Sequence, residues 1–132
     1  MTTAEQSVQT DPTLLSRWFA IMDSTDADRV LGLVADDFQM SVVFSTGPGG
    51  TVSDFSGDRA ALVHYLEQRE VGTRVHVVLD AVRRGDVEHV LGEVQRAGEF
   101  EASFLAAGQL DDTGTRLRRL LIGRSPGARF TG

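Results

Sequence analysis

Few side chains in this sequence can move a proton near neutral pH. There are three histidines, one tyrosine and no cysteine. Without cysteine there is no thiolate nucleophile, no thiolate metal site and no disulfide framework. His64, His76 and His89 are spaced too widely for a zinc motif, so no metal is expected. Imidazole titrates near neutrality and suits general acid–base work. Of the three, His76 is the best candidate for it. It lies in the run Val75-His76-Val77, and strand alternation leaves open whether it points inward or shares the opposite face with Arg74. His64 sits beside Tyr65 on a helix edge, and His89 follows a hairpin, so both are expected at the surface. The adjacent carboxylates Asp36 and Asp37 look like a catalytic pair. At a helix-to-strand turn, however, neighbours point apart, and capping, turn formation and solvation account for them better. Gly47-Pro48-Gly49-Gly50 lacks the lysine and following helix of a phosphate loop and reads as a hairpin turn.

The elements that must position these groups can be read from periodicity. Asp11-Pro12 starts a helix with Asp11 as its cap, and Leu14, Leu15, Trp18, Phe19 and Met22 form one apolar stripe on it. Asp23-Ser24-Thr25-Asp26 breaks that helix. A second short helix carries Val30, Leu31 and Val34. A strand is expected from Phe38 to Ser45, a turn over 46–50, and a short returning strand from Thr51 to Phe55. Asp58 caps a third helix that bears Leu62, Tyr65 and Leu66, with the stem of Arg69 along the same face. After Gly72 the period becomes two. Turns at Gly85-Asp86, Ala97-Gly98-Glu99 and Asp111-Asp112-Thr113-Gly114 divide four long antiparallel strands, the last running from Arg116 to Arg124.

This order implies an α+β domain with helices on one face of a curved, mostly antiparallel sheet. Arg74, Arg116, Arg118 and Arg124 alternate with Val78, Leu120 and Ile122 and are assigned to the open face, where a second copy of the chain is expected to pack. The 132 residues suffice for one core. A composition 41% hydrophobic and 24% charged is that of a globular protein, and a net charge of -6 argues against nucleic acid and anionic membrane surfaces. The first residues lack the pattern of a signal peptide, and no apolar run approaches the roughly 20 residues of a membrane-spanning helix. A cytoplasmic location is expected.

In sequence the chain resembles the nuclear transport factor 2-like superfamily, and within it the SnoaL-like and ketosteroid-isomerase-like small proteins. The likeness rests on Arg17-Trp18-Phe19, Asp26-Ala27-Asp28 and the junction Leu33-Val34-Ala35-Asp36-Asp37-Phe38. Ser56-Gly57, Gly85-Asp86 and Asp112-Thr113-Gly114 complete it. It spans residues 12–124, leaving a flexible tail at 1–11 and a C-terminal tail at 125–132. The resemblance implies a cystatin-like cone, with three N-terminal helices packed on the curved sheet around an apolar pocket, and a homodimer formed through the open sheet face. It implies a pocket for a small hydrophobic molecule lined by Trp18, Met22, Phe38, Met40, Val42, Phe55 and Phe104. It further implies cofactor-free isomerisation, cyclisation or dehydration, with His76 as acid/base and Tyr65 as hydrogen-bond donor. A ketosteroid isomerase would carry its base where this chain has Val42, and its two oxyanion donors where it has Trp18 and Ala106; only Tyr65 matches. An epoxide hydrolase of this fold would bridge two aspartates with an arginine, for which Asp80 with Arg74 or Arg119 offers no specific spacing. A non-catalytic binding or interaction module on the same scaffold is the competing expectation.

Overall fold

The computed structural model describes residues 13–45, 52–69 and 72–132. The tail at 1–11, the helix start at Asp11-Pro12 and the turn at 46–50 lie outside the described residues. Helix α1, Leu14–Met22, buries Leu14, Leu15, Trp18, Phe19 and Met22, the stripe that its spacing predicts. Thr13 caps it, its hydroxyl oxygen accepting from the Ser16 N–H at 3.1 Å. Ala27–Leu33 then form a 3-10 helix that buries Ala27 and Val30. With Gly32 in its last turn, this segment has little intrinsic preference for a longer α-helix.

Strand β1, Val34–Ser45, pairs antiparallel with β2, Val52–Asp58. Helix α2, Arg59–Gln68, follows directly, its Ala61 N–H donating to Asp58 Oδ1 at 3.0 Å. The third helix comes after the first hairpin, as the order of sequence patterns predicts, so the three helices are not grouped at the N-terminus as the resemblance implies: two helical segments precede the sheet and one lies between β2 and β3. Strands β3 (Arg74–Arg84), β4 (Val87–Arg96), β5 (Glu99–Leu110) and β6 (Leu117–Ser125) complete a six-stranded mixed sheet of order β2-β1-β6-β5-β4-β3. Only β1 and β6 run parallel among these neighbours. The tight turns fall where the glycines predict them, with Gly85, Gly98 and Gly114 at positive φ.

Two expectations are corrected by the strands. β1 begins at Val34, where Leu117 of β6 is its partner, and a register irregularity separates that pair from the next at Gln39. Asp36 and Asp37 thus lie within the strand, not at a turn before it. Both are exposed, and Asp37 is bound by Arg118 at 2.9 Å. That guanidinium holds the Asp37 carboxyl below its usual range. The sheet faces are also exchanged. Leu120 and Ile122 belong to the buried core and Val78 packs against it, so Arg74 and Arg124, on the same side, face the helices. Arg118 is the extra residue where the β5–β6 register shifts, and Arg116 is exposed before β6. The open face instead carries Val43, Leu105 and Leu121, each 42–60% exposed. Period two reveals that faces alternate but not which one turns inward, and here each face mixes aliphatic and charged residues.

The C-terminal residues run back across the open face. Ser103 Oγ donates to the Ala128 carbonyl at 2.5 Å, and Thr131 Oγ1 donates to the buried Glu93 at 2.7 Å. On the helix side, Glu88 has no counterpart in the periodicity. It is 2% exposed, and its carboxylate accepts from the Leu14 and Leu15 N–H groups at 3.1 and 2.8 Å. β4 thereby supplies the cap for the first turn of α1, where backbone donors have no partner inside the helix. Glu88→Ala is expected to cost about 2–4 kcal/mol in urea unfolding, because it strands two buried donors. A loss below about 0.5 kcal/mol would show that the cap is dispensable.

Candidate functional site

A cavity of about 150 Å³ opens on the helix-covered face between α1, α2 and one end of the sheet. Trp18, Phe19 and Met22 of α1 form one wall. Met40, Val42 and Phe44 of β1, with Phe55 of β2 and Ile122 of β6, form the other. Its polar groups are Asp23, Tyr65, Arg69, Arg74, His76 and Arg124, together with Thr73. Such a space admits a body about the size of one aromatic ring. A wider, shallower depression of about 880 Å³ is lined by Ser41, Ser56, Ala107, Arg119 and Leu121, among others. Its lining has no histidine or tyrosine, and its one carboxylate, Asp58, caps α2, so the smaller cavity is the candidate site.

The chemistry of this cavity centres on His76 and Asp23. Asp23 is the residue that ends α1. One carboxylate oxygen accepts from the His76 backbone N–H at 2.6 Å, and the other lies 2.7 Å from the ring Nδ1. The carboxylate thus fixes both the strand position and the ring of His76. A carboxylate at this distance favours the tautomer with its proton on Nδ1, which leaves the Nε2 lone pair as the base. Nε2 has no hydrogen-bond partner among the described residues. The ring is held flat against Phe19 at 4.9 Å between centroids, and the Phe104 ring meets it edge-on at 5.4 Å. Both side chains of the dyad are about 15% exposed, which keeps water from competing for their hydrogen bonds.

Three arginines complete the polar wall. Arg69, at the end of α2, donates to the Met22 carbonyl. Glu101 accepts from Arg74 at 2.7 Å and from Arg124 at 3.0 Å. Hydrogen bonding from Arg74 holds the Glu101 carboxyl below its ordinary range, while burial lowers the Arg124 pKa despite the Glu101 charge beside it. Arg124 also lies over the Phe44 ring at 5.4 Å. Tyr65 packs on Phe55 at 5.2 Å and is 37% exposed at the mouth.

Of the residues singled out from sequence, His76, Tyr65, Trp18, Met22, Met40, Val42 and Phe55 meet around this one cavity. Phe38 and Phe104 do not line it. Phe38 is fully buried with its ring centroid 6.0 Å from that of Trp18, and Phe104 stands behind His76. Gly92 explains the second placement, since a Cβ there would come 2.5 Å from the Phe104 ring. Ala106 is core, while His64 and His89 are exposed away from the cavity. Asp80 is exposed on β3, and Arg119 bonds the Asp37 carbonyl instead. Sequence reasoning missed Asp23, Arg69 and Arg124 as cavity residues. Asp23 reads only as a helix breaker, and 53 residues separate it from His76. Among the described residues no cluster of histidine and acidic side chains could hold a metal ion, and no helix is long and apolar enough to cross a membrane.

No protein-family model and no curated protein matches the sequence. Solved structures do match its shape. A candidate isomerase of the SnoaL-like family from Agrobacterium tumefaciens superposes with a TM-score of 0.65 over 84% of this chain and 93% of its own, at 12% identity. An NTF2-like protein of unknown function from Cytophaga hutchinsonii does so with a TM-score of 0.60 over 89% of this chain and 95% of its own, at 11% identity. This chain has the nuclear transport factor 2-like fold. Another protein of similar shape is a candidate polyketide cyclase from Sinorhizobium meliloti, with a TM-score of 0.60, 17% identity, and coverage of 85% and 94% of the two chains. Identities this low speak for the nuclear transport factor 2-like fold alone, and that fold hosts more than one activity. Function has to be argued from the cavity.

Proposed function

We propose that the cavity holds a small, largely apolar carbonyl compound and that His76, held by Asp23, moves a proton on it without a cofactor. The observation that carries this reading is the pair of hydrogen bonds by which the backbone N–H and ring Nδ1 of a cavity histidine meet the two oxygens of one carboxylate. Nε2 would take a proton from the carbon beside the carbonyl, leaving an enolate whose oxygen accepts a hydrogen bond from Tyr65. Asp23 would stabilise the imidazolium so formed, and the same proton would return to another carbon or to oxygen. Isomerisation, cyclisation and dehydration share this first step. The names of the candidate isomerase and cyclase of similar shape lend it support.

The test is proton exchange. Acetophenone in D2O, followed by proton NMR, should lose its methyl signal faster with the protein than in buffer. If Trp18 responds to acetophenone but exchange is not accelerated, the cavity is a binding site without catalysis. Val42 favours that second reading, because a hydrophobic wall occupies the position at which a ketosteroid isomerase would carry its base.

The open face suits a second copy of this chain. Leu91 pairs with Leu105, Leu105 with Gly123, and Gly123 with Val43. This makes one apolar row across four strands, with Leu121 beside it at 58% exposed. A symmetric pair would cover the patch from both sides. Sedimentation at tens of micromolar should show a dimer that Leu105→Asp converts to monomer. A wild-type monomer at that concentration would remove the proposal.

A further inference from the structure

We infer that Arg69 is a positioning residue for the dyad, gripping the peptide group from which Asp23 reaches His76. The inference deepens the preceding reading and rests on His76 being the base. Met22 and Asp23 share one planar peptide unit. Its carbonyl, that of Met22, accepts from Arg69 Nη2. Its N–H, that of Asp23, donates to the Phe19 carbonyl at 3.0 Å. Both polar ends of the unit are therefore tied, one within α1 and one to another element. Carbonyls at a helix C-terminus have no partner inside the helix and carry partial negative charge. α1 has no basic residue of its own in its last turn, so Arg69 supplies the cation from across the fold.

The grip matters because of what hangs from this unit. Holding the peptide plane limits rotation about its bond to the Asp23 Cα, and so limits where the carboxylate can go. From there the two carboxylate oxygens meet the His76 N–H at 2.6 Å and the ring Nδ1 at 2.7 Å. Arg69 is itself anchored. Its backbone N–H donates to the Tyr65 carbonyl at 3.1 Å and closes the last turn of α2. One side chain thus joins the helix that carries the phenol donor to the end of the helix that carries the partner of the base. Asp23, Tyr65, Arg69 and His76 all line the same cavity. Lysine would keep the charge and a donor at this place, whereas methionine keeps only an apolar stem.

The test reads the His76 tautomer and the acetophenone exchange rate together. His76 is assigned in a long-range 1H–15N spectrum as the imidazole that His76→Gln removes, at a pH where neutral imidazole dominates. The wild type should carry its proton on Nδ1, the tautomer that Asp23 selects. Arg69→Met, checked for folding by circular dichroism, should move that proton toward Nε2. It should also slow exchange by up to about 10²-fold, the cost of a displaced catalytic group. Arg69→Lys should retain the wild-type tautomer and most of the rate. Because Arg69 acts through Asp23, adding Arg69→Met to Asp23→Asn should slow exchange less than about threefold further. Should Arg69→Met not fold, Arg69→Gln, neutral and shorter than arginine, takes its place with the same expectations. Wild-type tautomer and rate in the folded neutral variant would overturn the inference and leave the dyad standing. A slowed rate with the tautomer unchanged, or a loss that multiplies fully with that of Asp23→Asn, would overturn it too. If the wild type itself does not accelerate exchange, the reading beneath the inference fails and the inference with it.

Discussion

His76→Gln lowers the rate of enzyme-promoted proton exchange by about 10²–10⁴-fold, the range that a positioned general base contributes. Glutamine keeps a polar side chain in the cavity but has no lone pair basic enough to accept a proton from carbon. Asp23→Asn should fall in the same range, because the amide preserves shape while removing the charge that stabilises the imidazolium and selects the tautomer. The amide also presents a donor where the His76 backbone N–H now donates at 2.6 Å. The two substitutions act on one unit, so the double variant should be little slower than His76→Gln alone. A purely structural role for Asp23 would predict something else, namely lost thermal stability with exchange unchanged per folded molecule. Rates within about threefold of wild type for both single variants would sink the dyad as the catalytic centre.

Phe104→Ala should cost about 3–5 kcal/mol in unfolding free energy, the usual range for removing a buried aromatic ring from a core. The ring is 2% exposed and packs 4.6 Å from Phe19 and 5.4 Å from His76, centroid to centroid. The space it fills is made by Gly92, which admits the ring where any Cβ would collide with it. A second effect should accompany the instability. With its edge contact gone, the His76 ring is held by Phe19 and Asp23 alone, so exchange should slow even in the folded fraction. Phe104→Leu should recover much of the stability and little of the ring contact, which separates the two effects. Were Phe104 a wall of the ligand cavity instead, truncation would chiefly widen ligand preference at small cost. A loss below about 1 kcal/mol with altered ligand size selection would favour that view.

The outcome along the chain follows from how far each signal reaches. The stripe of α1, the cap at Asp58, the hairpins at Gly85-Asp86 and 97–98, and the four long strands are all readable, because each depends on residues a few positions apart. Local patterns misjudged the start of β1, since the partner that extends it, Leu117, lies on the last strand. Of the seven apolar residues assigned to a ligand pocket, five border the 150 Å³ cavity. The other two, Phe38 and Phe104, are equally apolar, and nothing in their type distinguishes a cavity wall from the packing behind it. His76 and Tyr65 could be singled out because imidazole and phenol are scarce here. Whether the imidazole pointed inward could not be read, because Val75 and Val77 flank it as symmetrically as an inward or an outward strand would allow.

The amino-acid sequence by itself determined which elements form and in what order, because capping, turn chemistry and period are short-range properties of the backbone and its nearest side chains. Tertiary structure alone decided that the end of α1 meets the beginning of β3. That meeting sets the Asp23 carboxylate 2.7 Å from His76 Nδ1 and turns a helix breaker into the partner of a base. It also decided that Arg69 and Arg124 line the same cavity as His76. The physical reason is the same in each case. Which face of a sheet is buried, and what lies across it, depends on the total burial achieved by all six strands and their helices together, and no stretch of the chain carries that sum.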